Sequence, residues 1–101
     1  MSTSTTTTTD RYLSTPGEIL QEEFLEPLGI SRYRLSKAIG VSETAVGEIV
    51  KGRRAISTAM AYRLAKALGT TPEFWLNLQT DYDLLRFDPS TIGDITPLIS
   101  A

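Results

Sequence analysis

The apolar residues of this chain recur at helical spacing in five short blocks, and residues that start or stop helices separate the blocks. The first block opens at Thr15-Pro16-Gly17-Glu18, where Thr15 can cap a helix and Glu18 can complete a capping box. Its apolar residues are Ile19, Leu20, Phe24 and Leu28. Pro27 predicts the end of this first helix, because proline disfavours the helical conformation of the residue before it.

The other four blocks each begin after a serine or threonine, and three of them end at a glycine. The caps are Ser31, Ser42, Ser57 and Thr71, and the glycine stops are Gly40, Gly52 and Gly69. The apolar positions of the four blocks, in order, are Leu35, Ala38 and Ile39; Val46, Ile49 and Val50; Met60, Ala61, Leu64, Ala65 and Leu68; and Phe74, Trp75, Leu78 and Tyr82. No stretch alternates between apolar and polar residues as a strand would. The pattern predicts an all-α domain of five helices over residues 15–85.

The two ends of the chain fall outside this pattern. Residues 1–14 are rich in serine and threonine and predict a disordered leader. Residues 86–101 form a C-terminal tail that Pro89, Gly93 and Pro97 interrupt. The tail is too apolar to be purely solvated, and we expect it to pack on the domain or on a dimer partner through Ile92, Ile95, Leu98 and Ile99.

The second and third blocks meet the requirements of a helix-turn-helix, in which a second helix crosses the first after a sharp turn. Residues 32–51 place an apolar or small residue wherever the two helices must pack, and a glycine at the turn. These positions are Leu35, Ser36, Ile39, Gly40, Val41, Val46 and Ile49. A generic helical hairpin would match two or three of them by chance, so the full set indicates a DNA-binding motif.

Composition excludes several classes of protein. The chain has no histidine and no cysteine, which removes the commonest general base, the commonest metal ligand and all disulfides. The acids Glu22, Glu23 and Glu26 are most simply the solvated face of a short helix. No apolar run is long enough to span a membrane, and no signal peptide is visible. We therefore expect a cytoplasmic protein that is not an enzyme and has no cofactor, no metal, no membrane association and no small-molecule substrate.

The charges are distributed unevenly along the chain. The net charge of −2 and the pI near 5.0 look unsuited to a DNA-binding protein. Residues 31–66, however, hold eight basic residues against two acids, a net charge of +6. Residues 1–30 and 67–101 each hold one basic residue against five acids, a net charge of −4. A basic centre between acidic flanks is typical of a protein that binds DNA with one face.

The candidate DNA-binding residues fall into two groups. The first comprises the cations at the edges of the motif, which we expect to bind phosphates: Arg32, Arg34, Lys51, Arg53 and Arg54. The second is the base-reading face of the third helix: Ser42, Glu43, Thr44, Ala45, Gly47 and Glu48. Gly47 costs the helix about 1 kcal/mol relative to alanine, which close approach to DNA or to a neighbouring helix would explain. Trp75 and Tyr82 belong either to the core or to a dimer interface.

The chain resembles the HigA-type antitoxins of the Xre/Cro-like helix-turn-helix family over about residues 15–84. The resemblance is carried by the segments TPGEILQEEFLEPLGIS, LSKAIGVS, EIVKGRRAIS and AMAYRLAKALGTTPEFWLNLQTDYDL. It implies a five-helix, lambda-repressor-like domain that binds double-stranded DNA at its own operator as a homodimer and neutralises a HigB-like RNase toxin. By position it implies DNA contacts at Arg32, Thr44, Glu48 and Arg53. Related antitoxins carry a basic or amide side chain early in the recognition helix, where this chain has Ala45 and Gly47.

Two alternative functions remain open at this point. A stand-alone Xre-type transcription regulator without a toxin partner would have the same residues, since the difference lies in a neighbouring gene. Co-purification with a small basic protein encoded beside it would separate the two. A protein–protein interaction module that has lost DNA binding is the second alternative, and the acids and glycine of the base-reading face favour it.

Overall fold

The computed structural model describes residues 14–99, and all regular secondary structure within that range is helical, with no strand. Helix α1 consists of three consecutive segments: α-helical Pro16–Ile19, π-helical Leu20–Leu25 and α-helical Glu26–Leu28. Helices α2, α3, α4 and α5 are Arg32–Ile39, Glu43–Val50, Thr58–Leu68 and Pro72–Arg86, and a 3₁₀ turn, Pro89–Ile92, follows. The predicted all-α class with five helices is confirmed. Most of the predicted disordered leader, residues 1–13, lies outside the described residues.

Every predicted N-cap forms its hydrogen bond. The hydroxyl oxygens of the capping residues accept from the backbone N–H three residues later at 3.0–3.2 Å; these residues are Thr15, Ser31, Ser42, Ser57 and Thr71. The Glu18 carboxylate also accepts from the Thr15 N–H at 2.9 Å, which completes the predicted capping box. Each cap satisfies an otherwise unpaired donor and contributes about 1 kcal/mol.

One apolar core lies between the five helices and holds α3 in place. Its members are Leu20, Leu25, Leu35, Ile39, Val46, Ile49, Val50, Ile56, Met60, Ala61, Leu64, Ala65 and Trp75. All five helices contribute to this core, and α3 packs mainly against α2 and the start of α1. None of the helices within residues 14–99 is long and apolar enough to cross a membrane.

The predicted end of α1 at Pro27 is wrong, because the helix continues to Leu28 and ends at Gly29 with φ +66°. A π-helical turn precedes Pro27, so this residue, which has no N–H, enters where the regular hydrogen-bond ladder is already interrupted. The wider turn also changes which residues face inward. Leu25, five residues after Leu20, is buried, whereas the predicted core residue Leu28 is exposed. Ala38 of α2, also predicted to face inward, is exposed.

The described part of the C-terminal tail, residues 86–99, does not pack on the domain. Its apolar side chains are all exposed: Ile92, Ile95, Leu98 and Ile99. The chain leaves α5 with extended backbone at Phe87, and the core is already filled by α1–α5 and Ile56. Packing on the domain is therefore wrong for the described residues, whereas packing on a dimer partner stays a prediction.

Candidate nucleic-acid interface

The helix-turn-helix positions occupy the places that the spacing predicts. Leu35, Ile39, Val46 and Ile49 are buried between α2, α3 and the rest of the core. Ser36 is buried too, and its hydroxyl donates to the Tyr33 carbonyl at 2.7 Å, so the small polar residue carries no unpaired donor. Gly40 ends α2 with φ +73°, the left-handed conformation that the sharp turn requires.

Helix α3 has a buried face and an outer face. Its outer face consists of exposed Glu43 and Thr44 and half-buried Gly47 and Glu48. The placement of Ala45 on this face is wrong, because Ala45 is only 6% exposed. Residues four positions apart share a helix face, so Ala45 points inward with Ile49. The exposed Ser42 precedes the helix, and its hydroxyl oxygen accepts from the Ala45 N–H at 3.0 Å.

The outer face of α3 and the start of α2 together form a hollow of about 250 Å³, which we call the α3 hollow. Its lining residues are Arg32, Glu43, Thr44, Gly47, Glu48 and Lys51. Two of the predicted phosphate-binding cations therefore stand beside four of the predicted base-reading residues. The exposed Arg34 lies one turn into α2 and is not part of the lining.

The loop after α3 fixes the backbone that carries Arg53 and Arg54. The Arg53 N–H donates to the Glu48 carbonyl at 2.8 Å and the Gly52 N–H to the Ile49 carbonyl at 3.0 Å, a pattern that caps the helix when Gly52 takes its φ of +78°. Farther along the loop, the Ile56 N–H donates to the Gln79 side-chain oxygen at 2.8 Å. Both arginines are exposed on this anchored loop.

Sequence reasoning missed Arg86. The end of α5 brings it to a second hollow, of about 140 Å³, which Arg53 and Arg54 also line beside the start of α1. Its guanidinium lies 5.3 Å from the centre of the Tyr82 ring. In the sequence Arg86 belongs to the acidic C-terminal flank. No local pattern showed that the end of α5 lies beside Arg53, Arg54 and the start of α1.

A second missed residue is Gly17, which positions α3. A Cβ atom on Gly17 would overlap the Ile49 carbonyl oxygen and lie 2.6 Å from the Ile49 carbonyl carbon and 2.9 Å from the Val50 Cα. The backbones of α1 and α3 therefore meet where only glycine fits. The sequence pattern assigned the Pro-Gly pair only the role of a helix-start signal, and nothing nearby in the sequence indicated this contact.

Trp75 cannot form part of a dimer interface in this fold, because its side chain is 0% exposed. It packs against Phe24 and Phe74, with ring centres 5.1 and 4.9 Å away, and its indole N–H donates to the Thr70 hydroxyl at 2.7 Å. The dimer-interface interpretation of Trp75 is wrong, and the core interpretation holds. Tyr82 is half-buried, and its place at an interface stays a prediction.

The α3 hollow is electrically balanced. Arg32 and Lys51 stand against Glu43 and Glu48, so net attraction for a polyanion must come from cations at its margins. Arg34, Arg53 and Arg54 are exposed outside its lining, and Arg86 lies beside the last two at the second hollow, which Asp83 also lines. Within residues 14–99, no cluster of acidic, histidine or cysteine side chains is arranged to hold a metal ion.

Comparison with known proteins agrees with this geometry. A family model described as helix-turn-helix matches residues 22–75. Virulence-associated protein I of Dichelobacter nodosus is 45% identical over 85 residues, which span 82% of this chain and 79% of that protein.

Two solved structures of antitoxins are similar to the whole domain. The antitoxin HigA of Pseudomonas aeruginosa, solved with the higBA promoter, is 40% identical with a TM-score of 0.78 over 86% of this chain and 99% of that one. The antitoxin GraA, solved in complex with its operator, is 43% identical with a TM-score of 0.76 over 86% of this chain and 92% of that one. The resemblance inferred from the sequence is confirmed: this chain belongs to the Xre-like helix-turn-helix family, among relatives that include the HigA antitoxins.

Proposed function

We propose that this protein is the antitoxin of a toxin–antitoxin pair and that it represses its own operon by binding duplex DNA at the promoter. The observation that carries the proposal is the α3 hollow, an outward helix face of a helix-turn-helix with exposed cations on both sides. Two antitoxins of the same fold, 40% and 43% identical, were solved with promoter or operator DNA. A helix of this kind enters the major groove, which is wide enough to admit it.

The residues of this surface have distinct roles in the proposed complex. Arg32, Arg34 and Lys51 bind phosphates next to α3, and Arg53 and Arg54 bind the backbone on the far side of the groove. The carboxylates of Glu43 and Glu48 accept hydrogen bonds from the exocyclic amines of cytosine or adenine. Thr44 contacts a base edge through its hydroxyl or its methyl group. Ser42 caps α3 and holds its first turn toward the DNA.

The proposal includes two protein partners. One is a second copy of the chain, which doubles the number of phosphate contacts on a two-half-site operator. Apolar side chains left exposed by the fold supply a surface for it at the end of α5 and in the tail, with Tyr82 at the margin: Leu84, Leu85, Phe87, Ile92, Ile95, Leu98 and Ile99. The other partner is a HigB-like toxin. The protein itself acts by binding, without catalysis, in the bacterial cytoplasm.

A gel-shift of the purified protein on its own promoter, at two salt concentrations and with unrelated DNA as competitor, tests this function. We expect specific retardation that weakens as salt rises, because phosphate contacts release counterions from the duplex. A footprint on the same fragment should cover two half-sites whose centres are about 34 Å apart, one helical turn.

Three outcomes would contradict parts of this function. Retardation absent at micromolar protein, with or without the co-expressed neighbouring protein, would indicate a protein–protein module. A footprint with a single half-site would contradict the dimer. Specific retardation without co-purification of a small basic protein encoded beside it would leave a stand-alone transcription regulator.

Removing either loop arginine should weaken binding to every DNA sequence alike. For Arg53→Ala or Arg54→Ala we expect the slope of log affinity against log salt concentration to flatten by about 1, the loss of one phosphate contact. The measurement is a salt titration of affinity on promoter and on unrelated DNA. Lys66→Ala is the matched control, since it removes an exposed cation from α4 that lines neither the α3 hollow nor the hollow beside Arg53 and Arg54. Loss of discrimination at an unchanged slope would mean that these arginines contact bases.

A further inference from the structure

Gly47 has no conformational reason to be glycine. It lies in the interior of α3 with helical backbone, whereas the glycines with positive φ are Gly29, Gly40, Gly52, Gly69 and Gly93. Glycine in a helix interior is destabilising relative to alanine, because it loses more conformational freedom on folding. The protein therefore tolerates a weaker recognition helix at this residue.

Packing inside the chain does not require glycine here either. A Cβ atom built on Gly47 meets no heavy atom within 4 Å outside its own helix backbone, in contrast to Gly17, where it would overlap the backbone of α3. Of the two explanations that the sequence left open, close approach of a neighbouring helix is thus wrong for residues 14–99. No other residue of this part of the chain occupies the space beside Gly47.

The space at Gly47 opens into the α3 hollow. Gly47 lines that hollow together with Thr44, one turn earlier on the same helix face, and the carboxylates of Glu43 and Glu48 line it too. The missing side chain therefore leaves a gap in the middle of the surface that we propose faces DNA.

We propose that Gly47 is a specificity-determining residue, and that its missing side chain leaves room for the C5-methyl group of a thymine in the major groove, beside Thr44. This inference rests on the proposed function. The thymine methyl is the apolar group that projects from base edges into the major groove, and threonine methyl groups pack against it. Guanine presents two acceptors there, and these would face the carboxylates of Glu43 and Glu48.

The test pairs one methyl group added to the protein with one removed from the DNA. Gly47→Ala adds a methyl group at the gap, and deoxyuridine in place of thymidine removes the methyl group from the base. We expect Gly47→Ala to raise Tm by about 4 °C, since alanine strengthens the helix and meets no atom of the fold. On the promoter duplex it should weaken specific binding roughly 10-fold. Deoxyuridine at one thymine of each half-site should restore most of that loss, while it weakens binding of the wild type, which loses the contact between the thymine methyl group and Thr44.

One control variant and two outcomes separate this inference from the proposed function. Thr80→Ala, an exposed substitution in α5 that does not line the hollow, should bind promoter DNA like the wild type. The inference is overturned if Gly47→Ala binds the thymine duplex as tightly as the wild type does, or if no deoxyuridine position relieves its loss. If wild-type protein shows no specific binding while Gly47→Ala still raises Tm, the proposed function has failed and the inference fails with it.

Discussion

Replacing Gly17 with alanine is expected to lower the Tm of this protein by about 10 °C or more, the effect of roughly 2 kcal/mol of overpacking in a domain of this size. The added Cβ would lie 2.6 Å from the Ile49 carbonyl carbon and 2.9 Å from the Val50 Cα. These are backbone atoms of α3, so no side-chain rotation can relieve the overlap. Helix α1 must move away from α3, and the packing that Leu20 contributes to the core is loosened with it.

Gly47→Ala is the matched control, because it is the same substitution inside a helix at a residue where a Cβ atom meets nothing within 4 Å. Thermal melting followed by circular dichroism should show Tm shifts of opposite sign for the two variants. Promoter affinity of Gly17→Ala should fall for all sequences, since α1 no longer holds α3 at its angle. A Gly17→Ala protein that melts within about 2 °C of the wild type would show that α1 and α3 separate at little cost, because that shift corresponds to less than 1 kcal/mol.

The features that could be predicted from the sequence are those that nearby residues determine. An N-cap joins a serine or threonine hydroxyl to the backbone N–H three residues later, so its signal lies within four consecutive residues. The glycine stop at Gly40 and the apolar positions around it likewise describe a helix, a turn and a second helix within some twenty residues. These local signals located all five helices.

Two of the wrong predictions came from treating helices as more regular than they are. The π-helical turn of α1 changes the spacing of inward positions from four residues to five, which buries Leu25 and exposes Leu28. The same interruption accommodates Pro27 inside the helix. A sequence with helical spacing carries no sign of such a turn, because the apolar residues fit either register about equally well.

The placement of Ala45 is a different kind of error, since the sequence did contain the answer. Ala45 is four residues before Ile49, which the helix-turn-helix pattern already placed in the core. Because alanine is small, its identity alone does not show whether it lies on the buried or the outer face of a helix. The spacing from Ile49 places Ala45 on the buried face. Without Ala45, the set of base-reading residues consists of Glu43, Thr44, Gly47 and Glu48, with Ser42 at the edge of the face.

The contacts that assemble the candidate site lie between residues far apart in sequence. Gly17 touches Ile49, the Ile56 N–H reaches Gln79, and Arg86 joins Arg53 beside the start of α1. No periodicity or composition specifies such pairs, because they depend on how complete helices pack against each other. The charge pattern located the basic region within residues 31–66, and only the fold shows which of its cations border the α3 hollow.

Trp75→Ala should be the most destabilising single substitution in the core, at about 3–5 kcal/mol. The indole is fully buried against Phe24 and Phe74, so alanine leaves a large cavity and removes one ring of a three-ring aromatic cluster. Since small domains are stable by only about 5–15 kcal/mol, this loss would leave the variant partly unfolded near physiological temperature. Urea unfolding followed by circular dichroism measures it, because the chain has no second tryptophan to report by fluorescence.

Trp75→Phe separates the contribution of the ring from that of its hydrogen bond. Phenylalanine keeps most of the aromatic packing but loses the bond to the Thr70 hydroxyl, so we expect roughly a third of the alanine effect, about 1–2 kcal/mol. An interface residue would behave differently. Its loss would convert the dimer to monomers and remove the dependence of unfolding on protein concentration that a dimer shows, whereas loss of a core residue destabilises each subunit alike. If Trp75→Ala and the wild type unfolded at equal midpoints and the variant had half the mass, Trp75 would be an interface residue, which would contradict its place in the core.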